Sequence, residues 1–342
     1  MEIVASLPGR IELAEVAAVA RRVEALGFDT LHVPETIHDP FSVATLALQA
    51  TSRLVVRTSM VLAFPRSPMV TAVAAWDLSR FSGGRFQLGV ASQVRGNIVG
   101  RYSMPWTDPV AQLGDYIDSL RAIFTSFQTG AELNHQGSHY QFTRLQPYFN
   151  PGPLDHAAPS IWTGGVNARM TALAGARSDG FVAHPTTSHP RMLNDHTIPA
   201  LERGATAAGR SDLPRIVAGP QPVLAPDQAT LAAQREARRS ELAFLYSTPA
   251  YRRQLEAFGL AGLGEALSAM AQAQEWAGLA DHLTDEVIAT LVPQGTYAQM
   301  PELLNSWYAG LCDGLVLAAP APGTDDDAFR ALVAGCREIP GR

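Results

Sequence analysis

Three titratable side chains fall within five residues in the run Pro34-Glu-Thr-Ile-His-Asp-Pro-Phe41. Glu35, His38 and Asp39 together could move a proton or grip a polar ligand, because an imidazole titrates near neutrality and carboxylates accept hydrogen bonds. A plainer role fits the same residues, with Asp39 capping a helix that starts near Phe41 and His38 a loop residue. Arg66, Arg95 and Arg101 lie beyond the ends of two further β-rich runs. Clustered guanidiniums there suit a multiply anionic ligand, each charge-assisted hydrogen bond being worth about 1.5–3 kcal/mol. The segment Trp162-Thr-Gly-Gly-Val-Asn-Ala-Arg169 passes from a β-rich run into a helical one. Glycines at such a turn let backbone N–H groups approach a phosphate at the helix N-terminus, although any tight turn favours glycine. His184 closes a later run and Gln221 lies within the next, so both could line a pocket.

The frame that would position these residues is an alternation of short strands and helices. The β-rich runs are Glu2–Leu7, Thr30–Val33, Leu54–Leu62, Arg85–Ala91, Ser160–Thr163, Asp179–His184, Arg215–Leu224 and Asp313–Ala319. Several are near-continuously apolar, as strands buried on both faces of a parallel sheet are. Between them, Leu13, Val16, Ala20 and Val23 recur at helical spacing, as do Val110, Leu113, Ile117, Leu120 and Phe124, the latter opened by Asp108 as cap and Pro109 in the first turn. Thr296 and Gln299 form a capping-box pattern ahead of the last full helix, before Gly310. Eight βα-like units predict an α/β protein, a (β/α)8 TIM barrel, whose functional residues gather at the C-terminal ends of the strands. Residues 128–159 and 225–295 interrupt the rhythm and are expected as insertions after strands 4 and 7 of a single domain spanning 1–342.

Composition narrows the chemistry. The chain has 342 residues, 46% hydrophobic and 17% charged, enough to bury a large core. Its basic residues are all arginines, and the absence of lysine excludes pyridoxal-phosphate enzymes, Schiff-base aldolases and P-loop NTPases. A net charge of −6 argues against a nucleic-acid binder. Cys312 and Cys336 have no metal or redox spacing and read as small buried hydrophobes, and no metal site is expected. The N-terminus lacks a signal-peptide pattern and no apolar run reaches membrane-spanning length, so a cytoplasmic protein is expected. A Rossmann Gly-x-Gly-x-x-Gly after a strand, a His-Glu-x-x-His and a Gly-x-Ser-x-Gly elbow are all missing.

Taken together, several segments resemble the luciferase-like monooxygenases and deazaflavin-dependent oxidoreductases. They are Gly27-Phe-Asp-Thr, Glu35-Thr-Ile-His-Asp-Pro-Phe, Thr58-Ser-Met-Val-Leu-Ala-Phe-Pro-Arg-Ser-Pro-Met, Ser82-Gly-Gly-Arg-Phe-Gln-Leu-Gly-Val, Ser92-Gln-Val-Arg, Arg101-Tyr-Ser-Met-Pro-Trp106 and Ala174-Gly-Ala-Arg-Ser-Asp-Gly. Matches run from residue 1 to about 190 and resume at Gly295-Thr and Gly310-Leu-Cys-Asp-Gly. The resemblance implies a barrel holding coenzyme F420, or alternatively FMN, at its mouth, and the Glu-x-x-His-Asp-Pro-Phe and Ser-Gln-Val-Arg pieces look more like the F420-using branch. It places the family's non-prolyl cis peptide at Ser59-Met60, the phosphate on Thr163, Gly164 and Gly165, and ring or side-chain contacts on Ser92 and Asn97. Arg66, Arg95, Arg101 and His184 complete the expected cofactor set.

The sequence also departs from the family. Thr36 stands where some members carry a histidine, and Val94 where a sugar-phosphate dehydrogenase relative carries a glutamate. His38 is therefore the expected acid, with Glu35 and Asp39 behind it. The implied reaction is hydride transfer between reduced F420 and a small organic substrate, working as a reductase. The alternatives are a two-component FMN monooxygenase and a non-catalytic flavin-binding barrel. A homodimer is expected by resemblance alone.

Overall fold

The apolar runs are strands, and helices separate them. In the computed structural model, which describes residues 1–320 and 326–342, β1 (Glu2–Ser6) leads to α1 (Leu13–Ala25) and β2 (Thr30–Val33) to α2 (Pro40–Ala50). The third apolar run divides into β3 (Val55–Thr58) and β4 (Val61–Leu62) ahead of α3 (Pro68–Ser82). β5 (Phe86–Ala91) precedes α4 (Arg95–Gly100) and α5 (Pro109–Thr129). The hairpin β6 (His135–Gln136) and β7 (Gln141–Phe142) follows, then β8 (Ile161–Gly165) with α6 (Ala168–Arg177), and β9 (Gly180–Ala183) with α7 (Pro190–Met192) and α8 (Ile198–Ala207). After β10 (Arg215–Ala218) and β11 (Val223–Ala225) come α9 (Gln228–Tyr246), α10 (Arg253–Ala257), α11 (Ala261–Gln272) and α12 (Asp285–Leu291). The chain ends with β12 (Gln294–Thr296), α13 (Met300–Tyr308), β13 (Gly314–Val316) and α14 (Asp326–Arg337). This is a (β/α)8 barrel with parallel strands.

Two compact units can be described separately. The larger comprises Ala5–Val182 and Ala200–Arg215. In it β2 pairs with β3 (Val33 opposite Thr58), β3 with β5 (Val56 opposite Phe86) and β5 with β8 (Val90 opposite Thr163), all parallel. Its interior holds a cation as well as hydrocarbon. Arg57 of β3 is fully buried, stacks on Trp162 at 3.5 Å, and bonds Gln87 and His32. The smaller unit comprises Met1–Val4, Ala183–Pro199 and Ile216–Arg342. There β13 lies between β1 and β10, with Gly314 opposite both Glu2 and Val217, while β11 and β12 form a separate parallel pair. The 225–295 stretch is the helical excursion expected, with its own apolar core of residues including Leu242, Tyr246, Leu255, Leu267 and Ile288.

Local signals account for most boundaries. Asp108 caps α5 by accepting from the Val110 and Ala111 N–H groups, with Pro109 at the first turn. Gln299 accepts the Thr296 N–H, half of the expected box, and α13 starts immediately after it. One expectation needs correcting: α13 is not the last full helix. α14 follows, and its buried Phe329, Leu332, Val333 and Cys336 recur at helical spacing. Cys312 and Cys336 are buried free thiols, and burial pushes both up to about 12. Among the described residues, no helix is long and apolar enough to cross a membrane.

Helix packing in the larger unit depends on two glycines. A Cβ on Gly175 of α6 would fall 2.0 Å from the Leu201 carbonyl oxygen, and one on Gly204 of α8 would fall 1.8 Å from that of Ala172. Backbone cannot step aside as a side chain can. Gly204→Ala is therefore expected to cost about 1–3 kcal/mol, the usual range for overpacking. Gly262→Ala, where the new methyl meets open space in α11, should be neutral or slightly stabilising. Urea unfolding of the two variants checks the contrast, and equal losses would contradict it.

Candidate active site at the strand ends of the larger unit

Pro34 ends β2 and turns the chain so that Glu35 sits at the strand's C-terminal end, its side chain 4% exposed. The carboxylate is fully engaged. Arg66 Nη1 donates to Oε1 at 2.9 Å and Oε2 at 2.8 Å, and the Leu62 N–H donates to Oε2 at 2.8 Å. The Tyr102 hydroxyl donates to Oε1 at 3.5 Å, a long and weak bond. Asp39 serves two purposes. Its Oδ1 caps α2 by accepting the Phe41 and Ser42 N–H groups, the plain structural role, and its Oδ2 accepts Arg66 Nη2 at 2.9 Å. Burial works against the Arg66 charge, but Glu35 and Asp39 more than offset it, so the guanidinium holds its proton more firmly than usual.

His38 does not join that cluster. Its Nε2 lies 3.0 Å from the Ile11 carbonyl oxygen. A carbonyl only accepts, so Nε2 carries a hydrogen and donates it. The structure thus brings Glu35 and Asp39 together on Arg66 and turns the third titratable group away.

The expected break at Ser59-Met60 is present as a cis peptide, where β3 gives way to β4. The Met60 side chain packs against two glycines. A Cβ on Gly89 of β5 would lie 2.6 Å from its sulfur, and one on Gly164 of β8 would lie 3.6 Å from its Cε. Glycine inside a strand otherwise weakens it, but at Gly89 a Cβ would also meet the Thr58 carbonyl oxygen at 2.0 Å and at Gly164 the Val182 carbonyl oxygen at 2.9 Å, so close backbone approach requires both glycines and the thioether adds to it at Gly89.

Beyond β5 the chain turns sharply. Gln93 adopts a left-handed φ of 60°, the Ser92 hydroxyl donates to its carbonyl at 3.2 Å, and Gln93 Oε1 accepts the Val94 N–H. Arg95 opens α4, is exposed, and has no hydrogen-bond or ion-pair partner among the described residues. Asn97 holds the next turn through its carbonyl, which accepts from the Arg101 and Tyr102 N–H groups. Arg101 Nη2 donates to the Thr36 carbonyl at 2.7 Å, and the Thr36 hydroxyl donates to the Gly9 carbonyl. Of the three arginines singled out by position, Arg66 is neutralised and Arg101 is holding backbone, while Arg95 is open. Tyr102, which had no assigned role, is the residue sequence reasoning missed. Burial and the neighbouring Glu35 raise its pKa, against Arg101 and Arg66, so its phenol is neutral near pH 7.

At the end of β8 the Thr163 hydroxyl is buried and donates to the Val90 carbonyl at 2.8 Å, so it faces the neighbouring strand. Gly165 allows close packing, since a Cβ there would lie 2.7 Å from Met170 Cγ. Asn167 caps α6 but takes only the Met170 N–H. The Ala168 and Arg169 N–H groups therefore have no acceptor within the helix and stand open to an anion. Arg169 itself is paired to Asp108 at 2.8 Å.

A parallel barrel with an acid–guanidinium–phenol cluster after β2 and an open helix N-terminus after β8 can now be compared with known proteins. The pattern that defines the family described as luciferase-like monooxygenase matches residues 1–313. This chain belongs to that family. An uncharacterized protein of Mycobacterium tuberculosis is 35% identical over 310 residues, covering 90% of each chain. The 5,10-methylenetetrahydromethanopterin reductase of Archaeoglobus fulgidus is 23% identical over 298 residues, 85% of each. Among solved structures, the coenzyme F420 dependent tetrahydromethanopterin reductase of Methanopyrus kandleri superposes with a TM-score of 0.77 at 18% identity, covering 99% of this chain and 98% of that one. That likeness shows the barrel fold.

Gln221 lies between β10 and β11 rather than within a strand, at a left-handed φ of 49°, and His184, the remaining candidate of this luciferase-like chain, belongs like it to the smaller unit. His184 follows β9, stacks on Tyr251 with ring centroids 4.5 Å apart, and accepts the Thr186 N–H on Nδ1 at 3.4 Å. Nε2 therefore carries its hydrogen. Burial lowers its pKa to about 4. His189, packed against Phe258 and Trp307, is likewise lowered to about 4 by burial, with Arg191 adding to the effect and a Thr290 backbone bond opposing it. Both stay neutral when folded while the unfolded chain takes up protons near pH 6.5. Stability should then fall as pH drops from about 6.5 to about 4, by at most about 1.4 kcal/mol per pH unit per histidine, less for the more exposed His189. Urea unfolding at about pH 7 and about pH 5 measures this, and His184→Gln should flatten the slope. A stability unchanged across that range would contradict the assignment.

Proposed function

We propose that this protein is a coenzyme F420-dependent oxidoreductase that acts as a reductase on a small organic substrate. The observation that carries the reading is the arrangement along β8. Gly164 faces Met60 of the cis peptide, and within a few residues of it the open N–H groups of α6 present a seat for a phosphate. This donor set fits an anionic flavin-type cofactor, with Arg95 as a further free cation, while Arg66 and Arg101 are already committed. The choice of F420 over FMN is supported by the Archaeoglobus and Methanopyrus relatives, whose names are those of methanopterin reductases, the second expressly F420-dependent.

When bound, the deazaflavin supplies a hydride from C5 to an electrophilic carbon such as that of an imine or conjugated alkene. The chain's own part is to position and to protonate. Glu35, locked by Arg66 and the Leu62 N–H, is an acceptor that orients the Tyr102 hydroxyl. The phenol keeps its proton near pH 7 and makes only a long bond to Glu35, so Tyr102 Oη can turn to donate that proton to a substrate heteroatom. His38, whose Nε2 donates to the Ile11 carbonyl, stands outside this arrangement.

Anaerobic turnover of imines and conjugated alkenes with reduced F420 tests this reading. Turnover without oxygen is expected. Oxygen consumption with reduced FMN, and no anaerobic turnover, would move the protein to the monooxygenase reading. Tyr102→Phe should lower kcat by about 10²-fold while leaving cofactor affinity within about twofold. An unchanged kcat would remove Tyr102 from the proposal.

A further inference from the structure

The smaller unit carries an open groove of about 510 Å³ that the proposed reaction does not use. One wall is the face of α9 that bears Ser240 and Phe244, one helical turn apart and therefore neighbours. The facing wall runs from Trp276 through Gly278 to Leu279 and Ala280, where the short helical turn Leu279–His282 begins. Two of these side chains face water rather than a core. Phe244 is 63% exposed and Trp276 is 52% exposed. Their ring centroids are 6.0 Å apart with the planes tilted by 44°, so the rings touch without stacking and leave π faces open to the groove.

The unpaired charge beside the groove is negative. A Cβ on Gly278 would lie 3.6 Å from Asp281 Oδ2, which puts that carboxylate at the edge of the lining. Glu275 is exposed and immediately precedes Trp276, and neither acid has a side-chain partner among the described residues. Arg238 and Arg239, which precede Ser240 on α9, are already paired, the first with Glu241 and the second with Glu236 and Asp285. An aromatic face is the negative part of the ring quadrupole, so two such faces beside unpaired carboxylates attract a cation. The groove is open to water, which decides the kind of cation. A primary ammonium is strongly hydrated and gains little by leaving water, whereas a quaternary ammonium is weakly hydrated and offers methyl groups to the rings.

We propose that this groove binds a quaternary ammonium group, its methyls against the faces of Phe244 and Trp276 and its charge beside Asp281 and Glu275. The site does not rest on the deazaflavin reading. Because the walls are rings and carboxylates, the ligand must carry a positive charge and must present that charge on an apolar surface.

Proton NMR titration of the full-length protein with choline tests the proposal, with the uncharged isostere in which carbon replaces the nitrogen as its counterpart. The choline methyl protons should move upfield on binding, because they lie over ring faces, and the isostere should bind about fivefold more weakly or worse. Trp276→Leu keeps an apolar side chain and removes the π face, so it should lose about fivefold in choline affinity while leaving the isostere within about twofold. A loss confined to the cation cannot come from a misfolded variant, which would lose both ligands. Asp281→Asn, at an exposed position, should weaken choline binding about twofold. No binding of choline, equal binding of choline and its isostere, or a choline affinity unmoved by Trp276→Leu would overturn the assignment.

Discussion

Glu35→Ala is expected to lower the unfolding free energy by about 2–4 kcal/mol and kcat by up to about 10²-fold, no more than loss of the Tyr102 phenol itself. Removing one partner of a buried ion pair typically costs about 3–5 kcal/mol, because the other charge is left in a poor medium. Here the loss is moderated by Asp39, which still holds Arg66 Nη2, and by the 17% exposure of the Arg66 side chain. The Leu62 N–H loses its acceptor at the same time, at the point where β4 meets the cis peptide. Tyr102 loses its orienting partner. Glu35→Gln keeps an acceptor for Leu62 but cannot neutralise Arg66, so it should fall between the alanine variant and the parent. Urea unfolding together with a turnover assay measures both effects. A stability change below about 0.5 kcal/mol would contradict the account of Glu35 as the anchor of this site.

A second large effect is expected at Arg57, well inside the strands. Arg57→Ala should cost about 3–5 kcal/mol, through a cavity the size of most of a side chain and two stranded polar partners. Arg57 Nε donates to Gln87 Oε1 at 2.7 Å and Nη1 to His32 Nε2 at 3.0 Å, with the guanidinium face against Trp162. Burial first, and the Arg57 charge second, lower the His32 pKa well below its usual value, so His32 is neutral and able to accept. Arg57→Met should lose less than Arg57→Ala, since it fills the volume while leaving polar partners such as Gln87 and His32 unpaired. Chemical unfolding of the two variants, with Trp162 fluorescence as a local reporter, ranks them. An alanine variant as stable as the parent would contradict the reading of Arg57 as a structural cation.

The two residues also show what could and could not be read from the chain. Period, caps and apolar runs located the barrel strands, since burial on both faces leaves a dense local signal such as Leu54-Val-Val and Leu315-Val-Leu, although the seventh run, Arg215–Leu224, merged β10 with β11 of the separate pair. The split of the third run at Ser59-Met60 was legible only through family resemblance, because no local propensity distinguishes a cis from a trans peptide there. Positions beyond strand ends singled out Glu35, Asp39 and Arg66, which the structure brings into contact, yet spacing could not say that the arginine faces the two carboxylates rather than a ligand. Pairing across 27 and 31 residues is a tertiary fact. Tyr102 stood in a matching segment without a role because a tyrosine after an arginine carries no local signature, and the contact with Glu35 is a tertiary one. Arg57 was hidden for the same reason, among apolar neighbours in a strand.

The central claim, that this luciferase-like barrel is built for a deazaflavin, is tested most directly by equilibrium binding of oxidised F420 and of FMN to the purified protein. The account predicts micromolar affinity for F420 and markedly weaker binding of FMN, with Arg95→Gln weakening F420 binding and Arg101→Gln acting mainly through stability. Preferential binding of FMN, or binding of neither, would contradict it.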